Sequence, residues 1–231
     1  MLRALLFDLD GTLANTDPIH FATWKDVMQT YGLELDREFY DQNFSGRLNA
    51  AIVANLLPQL SVEAGEQLSW QKEAEFRRRA TGELQPLPGL MDLLQWANSQ
   101  QLQQAVVTNA PVENAEFMLQ VLKLDNHFET VVIAEQLERG KPDPLPYQVA
   151  LERLGVSAEA AVAFEDSPSG IRSAVGAGVL TVGIASTHAP EELYVVGAKL
   201  VVKDFADPQL DNLLKFSLTR SPHTIPTTTR F

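Results

Sequence analysis

The chain has 231 residues, of which 45% are hydrophobic and 21% charged, and this composition is typical of a soluble globular protein with room for a second, smaller unit. It contains no cysteine, which excludes disulfides, thiolate nucleophiles and cysteine-based zinc sites and fits a cytoplasmic location. The net charge of −12 argues against nucleic acid or a membrane as a partner, because their phosphates would be repelled. We expect a monomer or a weak homodimer.

Six short apolar runs without polar alternation predict strands that are buried on both faces. They are Ala4–Phe7, Ala105–Val107, Val131–Ile133, Ala160–Phe164, Leu180–Ile184 and Leu200–Val202. Segments with helical periodicity lie between the later strands, at Leu90–Ser99, Val112–Leu122, Leu145–Leu154 and Gly170–Ala177. The alternation predicts an α/β fold with a doubly wound, mainly parallel sheet.

Residues 17–83 interrupt this alternation with helical patterns alone. Asp17 and Pro18 predict a helix start, with Asp17 as the N-cap, and apolar residues then recur at helical spacing as far as Gly32. Further helices are expected at Leu48–Leu56 and Val62–Ala80. An insertion between two linkers is suited to act as a lid.

We therefore expect three parts in the chain. An α/β catalytic core comprises residues 1–15 and 84–215, and an all-helical cap comprises residues 16–83. Residues 216–231 are polar and rich in threonine and proline, which predicts a C-terminal tail outside the domain.

Polar side chains follow four of the predicted strands, at the edge where open α/β sheets bind ligands. They are Asp8 and Asp10 after the first strand, Thr108 and Asn109 after the second, Lys141 in the turn past the third, and Glu165 and Asp166 after the fourth. Acids that follow two separate buried strands repel each other unless a cation binds between them. Oxygen ligands suit Mg²⁺, which commonly shares its shell with a phosphate.

The same residues supply the groups that phosphoryl transfer requires. Asp8, nearest the strand end, suits the nucleophile, and Asp10 suits the general acid that protonates the leaving group and later activates water. Thr108 can donate a hydrogen bond to the phosphoryl group, and Lys141 can offset negative charge. Pro111 allows a helix to begin beside Thr108, so that free backbone N–H groups could also face the phosphate.

Four segments, FDLDGTL, VVTN, GKPDP and FEDSPSG, resemble in their order the motifs of the haloacid dehalogenase superfamily of phosphohydrolases, over roughly residues 1–215. The resemblance implies Asp8 as nucleophile, Asp10 as acid and base, and Thr108 and Lys141 on the phosphate. It implies Mg²⁺ on Asp8, the Asp10 backbone carbonyl and Asp166, with Glu165 beside the metal. The helical insertion resembles the cap of the subgroup that includes β-phosphoglucomutase and small sugar-phosphate phosphatases.

Within that superfamily, individual residues favour or disfavour four activities. Asp10 argues against dehalogenation, because the dehalogenases lack this aspartate, whereas Lys25 leaves open a phosphonate hydrolase with a Schiff-base lysine. His20 favours a mutase, and Arg47 could bind a second phosphate or a sugar. Thr12 and Asn109 look more like the phosphatases. We expect a phosphatase that acts on a small phosphorylated metabolite such as a sugar phosphate, with a phosphomutase as the alternative.

Substrate contacts are expected from the cap and from the second strand, namely His20, Trp24, Arg47 and Asn109. Two classes outside the superfamily fit less well. A phospho-accepting receiver domain would be about half this length and would lack both the insertion and the acid pair after the fourth strand. A nucleotide-binding module is disfavoured because the chain has no phosphate-binding loop motif of the G-x-x-x-x-G-K type.

Overall fold

The computed structural model describes residues 1–44 and 47–219, the last of these by its backbone alone. Its centre is a six-stranded sheet in the order β3-β2-β1-β4-β5-β6, and every pairing is parallel. The strands are β1 Ala4–Phe7, β2 Gln103–Thr108, β3 Thr130–Ile133, β4 Ala161–Glu165, β5 Leu180–Ile184 and β6 Leu200–Val202. All six predicted strands are confirmed, with ends that move by two residues at most.

The sheet is buried on both faces, as the continuous apolar strands predict. In β1, Leu5 and Phe7 face one hydrophobic cluster, whereas Ala4 and Leu6 face a second cluster on the other side. Because neighbouring side chains of a strand point to opposite faces, each face needs its own helical cover. The α/β doubly wound class is therefore confirmed.

Ten helices are found in the described part of the chain. They are α1 Asp17–Thr30, α2 Arg37–Asn43, α3 Asn49–Leu56, α4 Val62–Ala80, α5 Leu90–Ser99, α6 Val112–Val121, α7 Leu145–Leu154, α8 Pro168–Gly176, α9 Pro190–Val195 and α10 Pro208–Thr219. Short 3-10 turns at Ala134–Gln136 and Ala158–Ala160 precede α7 and β4. The helices α2, α9 and α10 were not among the predicted elements.

Helix α10 extends past residue 215, where the predicted tail was expected to begin. The backbone N–H of Leu2 donates to the Ser217 carbonyl at 3.0 Å, and Leu218 packs against the main hydrophobic cluster. The first residues of the predicted tail therefore belong to the core, because a helical period of leucines continues through them. The rest of the predicted tail, residues 220–231, lies outside the described residues.

Helices α1 to α4 follow β1, with no strand between them among the residues that the structure describes, and form what we call the helical insertion. Its interior is a separate cluster that includes Trp24, Met28 and Phe44. At its far end α4 joins the main cluster of the sheet through Phe76 and Ala80. The insertion thus has its own core and a packed attachment to the α/β unit.

The start of α1 differs from the prediction in one respect. Thr16, not Asp17, is the N-cap residue, and its hydroxyl makes no capping bond. It donates instead to Asp10 Oδ1 at 2.9 Å, while Asp17 pairs with Arg37 at 2.6 Å. The polar groups at this helix start therefore serve tertiary contacts.

The two connections between the insertion and the sheet run side by side. Ala14 forms an antiparallel bridge with Pro86, and the Leu87 N–H donates to the Leu13 carbonyl at 2.9 Å. Both connections thus lie close to the end of β1. Within the described part of the chain, no helix is both long and apolar enough to cross a membrane.

Candidate active site at the carboxyl edge of the sheet

Strand order brings the predicted acids together. β1 lies between β2 and β4, so Asp8, which follows β1, is beside Glu165 and Asp166 at the end of β4. One carboxylate oxygen from each of these three residues lies within 4.8 Å of the other two. We call Asp8, Lys141, Glu165 and Asp166 the carboxylate cluster.

Lys141 reaches this cluster from the segment between β3 and α7. Its Nζ lies 2.5 Å from Asp8 Oδ1 and 2.5 Å from Glu165 Oε1. The Tyr147 hydroxyl also donates to Glu165 Oε1, at 2.6 Å. The sequence predicted the lysine but gave no sign of the tyrosine, which α7 presents from its buried face.

The cluster is unbalanced in charge. Burial raises the pKa of Glu165 to about 7, although Lys141 counteracts the shift, and burial together with Asp8 raises the pKa of Asp166 well above its ordinary value. Burial likewise raises the pKa of Asp8 against the effect of Lys141. Burial alone would lower the pKa of Lys141, but Asp8 and Glu165 outweigh it and raise it. Three carboxylates thus share one ammonium group.

The site fits a divalent cation with oxygen ligands. Glu165 Oε2 is one of two buried side-chain polar atoms in the described residues without a hydrogen-bond partner, the other being Thr12 Oγ1. A Cβ atom at Gly170 would collide with the Glu165 carboxylate. A Cβ atom at Gly11, whose φ is +76°, would collide with the Asp166 carboxylate. The two glycines therefore leave room for carboxylates that lack a full set of partners.

The carboxylate of Asp10 points away from this cluster, towards the helical insertion. Its Oδ1 accepts from the Thr16 hydroxyl and lies 3.5 Å from His20 Nε2. The His20 ring stacks on Phe76 at a centroid distance of 4.0 Å, and its Nδ1 lies 2.7 Å from Lys72 Nζ. Asp10 therefore lies between the core and the insertion, where its side chain can move a proton separately from Asp8.

Next to His20 is a buried ion pair, Lys72 with Glu73, whose carboxylate also contacts Asn49 and Asn114; we call these four residues the insertion cluster. Glu73 Oε1 accepts from Lys72 at 2.8 Å and from Asn49 at 2.5 Å. Glu73 Oε2 accepts from Asn114 of α6 at 2.6 Å. Burial would raise the pKa of Glu73, but Lys72 and the other donors outweigh it and lower the pKa to about 2. No pattern in the sequence had indicated this group.

The two polar residues at the end of β2, Thr108 and Asn109, make different contacts. The Thr108 hydroxyl accepts from the Ala110 N–H at 2.9 Å and keeps its own proton for donation. Asn109 is engaged with the backbone of Lys141, with its Nδ2 3.1 Å from the carbonyl and its Oδ1 3.0 Å from the N–H. Asn109 thus fixes the turn that carries Lys141.

The expected free N–H groups at the start of α6 are partly occupied. The Val112 N–H donates to Glu135 Oε2 at 3.1 Å, and the Ala110 N–H donates to Thr108. A carboxylate is attracted to a helix N-terminus for the same reason as a phosphate. The Val112 N–H, at the first position of α6, therefore does not face a phosphate as predicted.

The predicted cap residues are not all placed at the carboxylates. Trp24 is only 2% exposed within the insertion, where its ring contacts Phe44 and lies 5.4 Å from Lys72 Nζ. Arg47 is exposed, and the two residues before it lie outside the described part. Lys25 is also exposed and lines a surface groove with Phe21 and Arg37, so its position adds no support for a phosphonate hydrolase.

A further loop, residues 185–188 after β5, also reaches the site and was not among the predicted site segments. The Ser186 hydroxyl donates to the Gly11 carbonyl at 2.5 Å, and the Thr187 hydroxyl donates to Asp166 Oδ2. The sequence carries a usable signal here, because three polar residues follow a buried strand at the carboxyl edge of the sheet.

Comparison with known proteins identifies the class to which this fold and site belong. A family model described as haloacid dehalogenase-like hydrolase matches residues 5–184. The chain belongs to that family, as its four motifs predicted.

Individual relatives lie in the predicted subgroup. The chain is 30% identical over 205 residues to a phosphorylated carbohydrates phosphatase from Thermotoga maritima, covering 87% of this chain and 94% of the relative. It is 26% identical over 224 residues to the β-phosphoglucomutase of Bacillus subtilis, covering 92% and 94%. The crystal structure of CbbY from Rhodobacter sphaeroides with xylulose-(1,5)bisphosphate is similar with a TM-score of 0.79 at 28% identity, covering 90% and 96%.

Proposed function

We propose that the protein is a Mg²⁺-dependent phosphatase that hydrolyses a small phosphorylated metabolite, a sugar phosphate, through an aspartyl-phosphate intermediate. The observation that carries the proposal is the position of Asp8. Its Oδ1 is held at 2.5 Å from Lys141, and its carboxylate lies beside those of Glu165 and Asp166 at the edge of the sheet. A buried carboxylate fixed against a cation site is arranged to attack phosphorus.

The cation would be held by Asp8 and Asp166, with the Asp10 backbone carbonyl as the third protein ligand and Glu165 beside them. When bound, Mg²⁺ offsets the charge of the carboxylates and of the phosphate, so that the two anions can approach each other. Lys141 offsets charge on Asp8, and Thr108 donates its hydroxyl proton to a phosphoryl oxygen.

The reaction has two halves. In the first, an Asp8 oxygen forms a bond to phosphorus, the bond between phosphorus and the sugar oxygen breaks, and Asp10 gives its proton to that oxygen. In the second, Asp10 takes a proton from water, whose oxygen bonds to phosphorus and releases Asp8 and inorganic phosphate. The orientation of Asp10 towards Thr16 and His20 supports this role, because the leaving group must lie on the side of the insertion.

The helical insertion would act as the cap that closes over the substrate. Two adjacent connections attach it beside the end of β1, and His20 lies next to Asp10. Closure of such a lid excludes bulk water and selects the leaving group. We propose His20 and Arg47 as contacts to the substrate, with Trp24 supporting them from the interior of the insertion. A cytoplasmic location fits the absence of cysteine.

A phosphomutase is the second candidate, favoured by the contact between His20 and Asp10 and by a mutase among the relatives. A mutase of this type must bind two phosphates. The phosphatases among the relatives, and the resemblance of Thr12 and Asn109 to the phosphatases, favour the phosphatase.

A screen of phosphorylated metabolites, with inorganic phosphate and isomerised sugar phosphate measured in the same reactions, separates the two candidates. We expect Mg²⁺-dependent release of phosphate without isomerisation, and no turnover by Asp8→Asn. Interconversion of hexose phosphates that requires a bisphosphate primer would overturn the phosphatase in favour of the mutase. Substantial turnover by Asp8→Asn would overturn both.

A further inference from the structure

We propose that Thr187 is a positioning residue for the metal site: its hydroxyl holds the Asp166 carboxylate in place. The inference rests on the proposed function, because it concerns the cation that this function requires. Thr187 lies on the loop of residues 185–188 that follows β5, outside the four motifs of the family. Its Oγ1 donates to Asp166 Oδ2 and lies 3.2 Å from the Asp166 carbonyl oxygen.

The carboxylate of Asp166 needs such a partner. Asp166 is buried, and one of its carboxylate oxygens lies within 4.8 Å of carboxylate oxygens of Asp8 and Glu165. The hydrogen bond from Thr187 to Asp166 Oδ2 restrains the rotation of this carboxylate. A donor of this kind fixes the orientation of a carboxylate that ligates a cation.

The position of Asp166 is confined from two sides. On one side is Gly11, where a Cβ atom would overlap the Asp166 carboxylate and would also come within 3.1 Å of Thr187 Cγ2. On the other side is the Thr187 hydroxyl. Since Ser186 donates to the Gly11 carbonyl at 2.5 Å, the same loop holds both the glycine turn and the carboxylate. The loop thus joins the end of β4 to the segment after β1.

The hydrogen bonds of Thr187 also indicate the role of its neighbour, His188. A threonine hydroxyl has one proton, and here that proton is directed to Asp166. His188 Nδ1 lies 2.9 Å from Thr187 Oγ1, so the imidazole must donate its Nδ1–H to the threonine oxygen. His188 therefore orients Thr187, and Thr187 orients Asp166.

The test is Mg²⁺ binding to substrate-free protein, measured by isothermal titration calorimetry on the full chain. The variant Thr187→Val keeps the shape of the side chain and removes the hydroxyl, whereas Thr187→Ser restores it. We expect Thr187→Val to bind Mg²⁺ about 10- to 100-fold more weakly, which is the usual effect of losing a group that orients a metal ligand. We expect Thr187→Ser to stay within about threefold of the wild type.

Thr181→Val is the matched control, because Thr181 lies at the opposite end of β5 and its hydroxyl bonds to the Val179 carbonyl. It should leave Mg²⁺ affinity unchanged. In kinetics, Thr187→Val should raise the Mg²⁺ concentration needed for half-maximal rate and recover most of kcat at saturating Mg²⁺. A general structural defect would lower kcat at every Mg²⁺ concentration.

Two outcomes would overturn the proposal and are separable from failure of the proposed function. Equal Mg²⁺ affinity in Thr187→Val and the wild type would show that Thr187 does not position Asp166. A loss of affinity in Thr187→Ser as large as that in Thr187→Val would show that the hydroxyl is not the active group. If the wild type itself neither binds Mg²⁺ nor releases phosphate from any substrate, the proposed function fails instead.

Discussion

The carboxylate cluster and the insertion cluster are both buried groups of charges, yet they differ in how completely they are satisfied. In the insertion cluster one ammonium group, Lys72, meets one carboxylate, Glu73, and each Glu73 oxygen accepts at least one hydrogen bond. In the carboxylate cluster three carboxylates meet one ammonium group, and Glu165 Oε2 lacks a partner.

The pKa values separate the two clusters in the same way. The pKa of Glu73 falls to about 2, because the donors around it outweigh its burial. The pKa of Glu165 rises to about 7, because its burial outweighs the effect of Lys141. A balanced buried cluster needs no ligand, whereas an excess of buried carboxylate indicates that a cation is required. The contrast supports a structural role for the insertion cluster and the proposed catalytic role for the carboxylate cluster.

The largest effect is expected from Asp8→Asn, which keeps the size of the side chain and removes its nucleophilic oxygen anion. We expect kcat to fall by at least ~10³-fold, in line with the loss of other covalent nucleophiles. Because the substitution also removes one of three mutually repelling carboxylates, the folded protein should be at least as stable as the wild type. Phosphate release and the midpoint of urea unfolding check the two expectations. A variant that loses activity only because it unfolds would contradict the assignment.

The next largest effect is expected from Glu73→Gln, which leaves Lys72 buried without its carboxylate. Breaking one side of a buried ion pair costs about 3–5 kcal/mol of unfolding free energy. Glu75→Gln is the matched control, since Glu75 is paired with Arg78 and Arg79 on the same helix but is partly exposed. Its loss should cost less than about 1 kcal/mol. Urea unfolding at pH 7 measures the loss of unfolding free energy in each variant. Equal losses in Glu73→Gln and Glu75→Gln would contradict the distinction between a buried and an exposed ion pair.

The contribution of Glu73 to the unfolding free energy should depend on pH in a defined direction. The pKa of Glu73 is about 2 in the folded chain and 4.5 at its ordinary value, so its contribution to stability is complete above pH 4.5. The contribution is lost as the pH falls towards 2, because the unfolded chain takes up the proton first. The stability difference between wild type and Glu73→Gln should therefore be constant from pH 7 to 5 and shrink below 4.5. A stability difference between the two proteins that grows as the pH falls below 4.5 would contradict this prediction.

The smallest effect is expected from Tyr147→Phe. The hydroxyl donates to Glu165 Oε1 at 2.6 Å, but that oxygen keeps its contact with Lys141. We expect a loss of about 1 kcal/mol in unfolding free energy, as for a single hydrogen bond, with Mg²⁺ binding retained. Loss of Mg²⁺ binding in this variant would mean that Tyr147 belongs to the metal site rather than to its support.

The sequence predicted the parts of the molecule that local pattern determines. Continuous apolar runs located all six strands, and the rule that ligands bind at the carboxyl edge led to Asp8, Thr108, Lys141 and Asp166. The same rule would have found Thr187 had the residues after β5 been included.

Other residues depend on packing between distant segments, which spacing along the chain does not reveal. Lys72 and Glu73 resemble any charged pair on an amphipathic helix, yet both are buried in the structure, where Asn49 and Asn114 donate to Glu73. Tyr147 resembles an ordinary aromatic residue of α7 until the fold places it beside Glu165. The orientation of Asp10 towards His20 likewise depends on how the insertion packs against the sheet.

The most direct test of the central claim is calorimetric titration of substrate-free protein with Mg²⁺ in the wild type, Asp166→Asn and Glu73→Gln. We predict one bound Mg²⁺ in the wild type, at least a tenfold loss of affinity in Asp166→Asn, and wild-type affinity in folded Glu73→Gln. Binding that persists in Asp166→Asn, or that disappears in folded Glu73→Gln, would contradict the assignment of the cation to the carboxylate cluster.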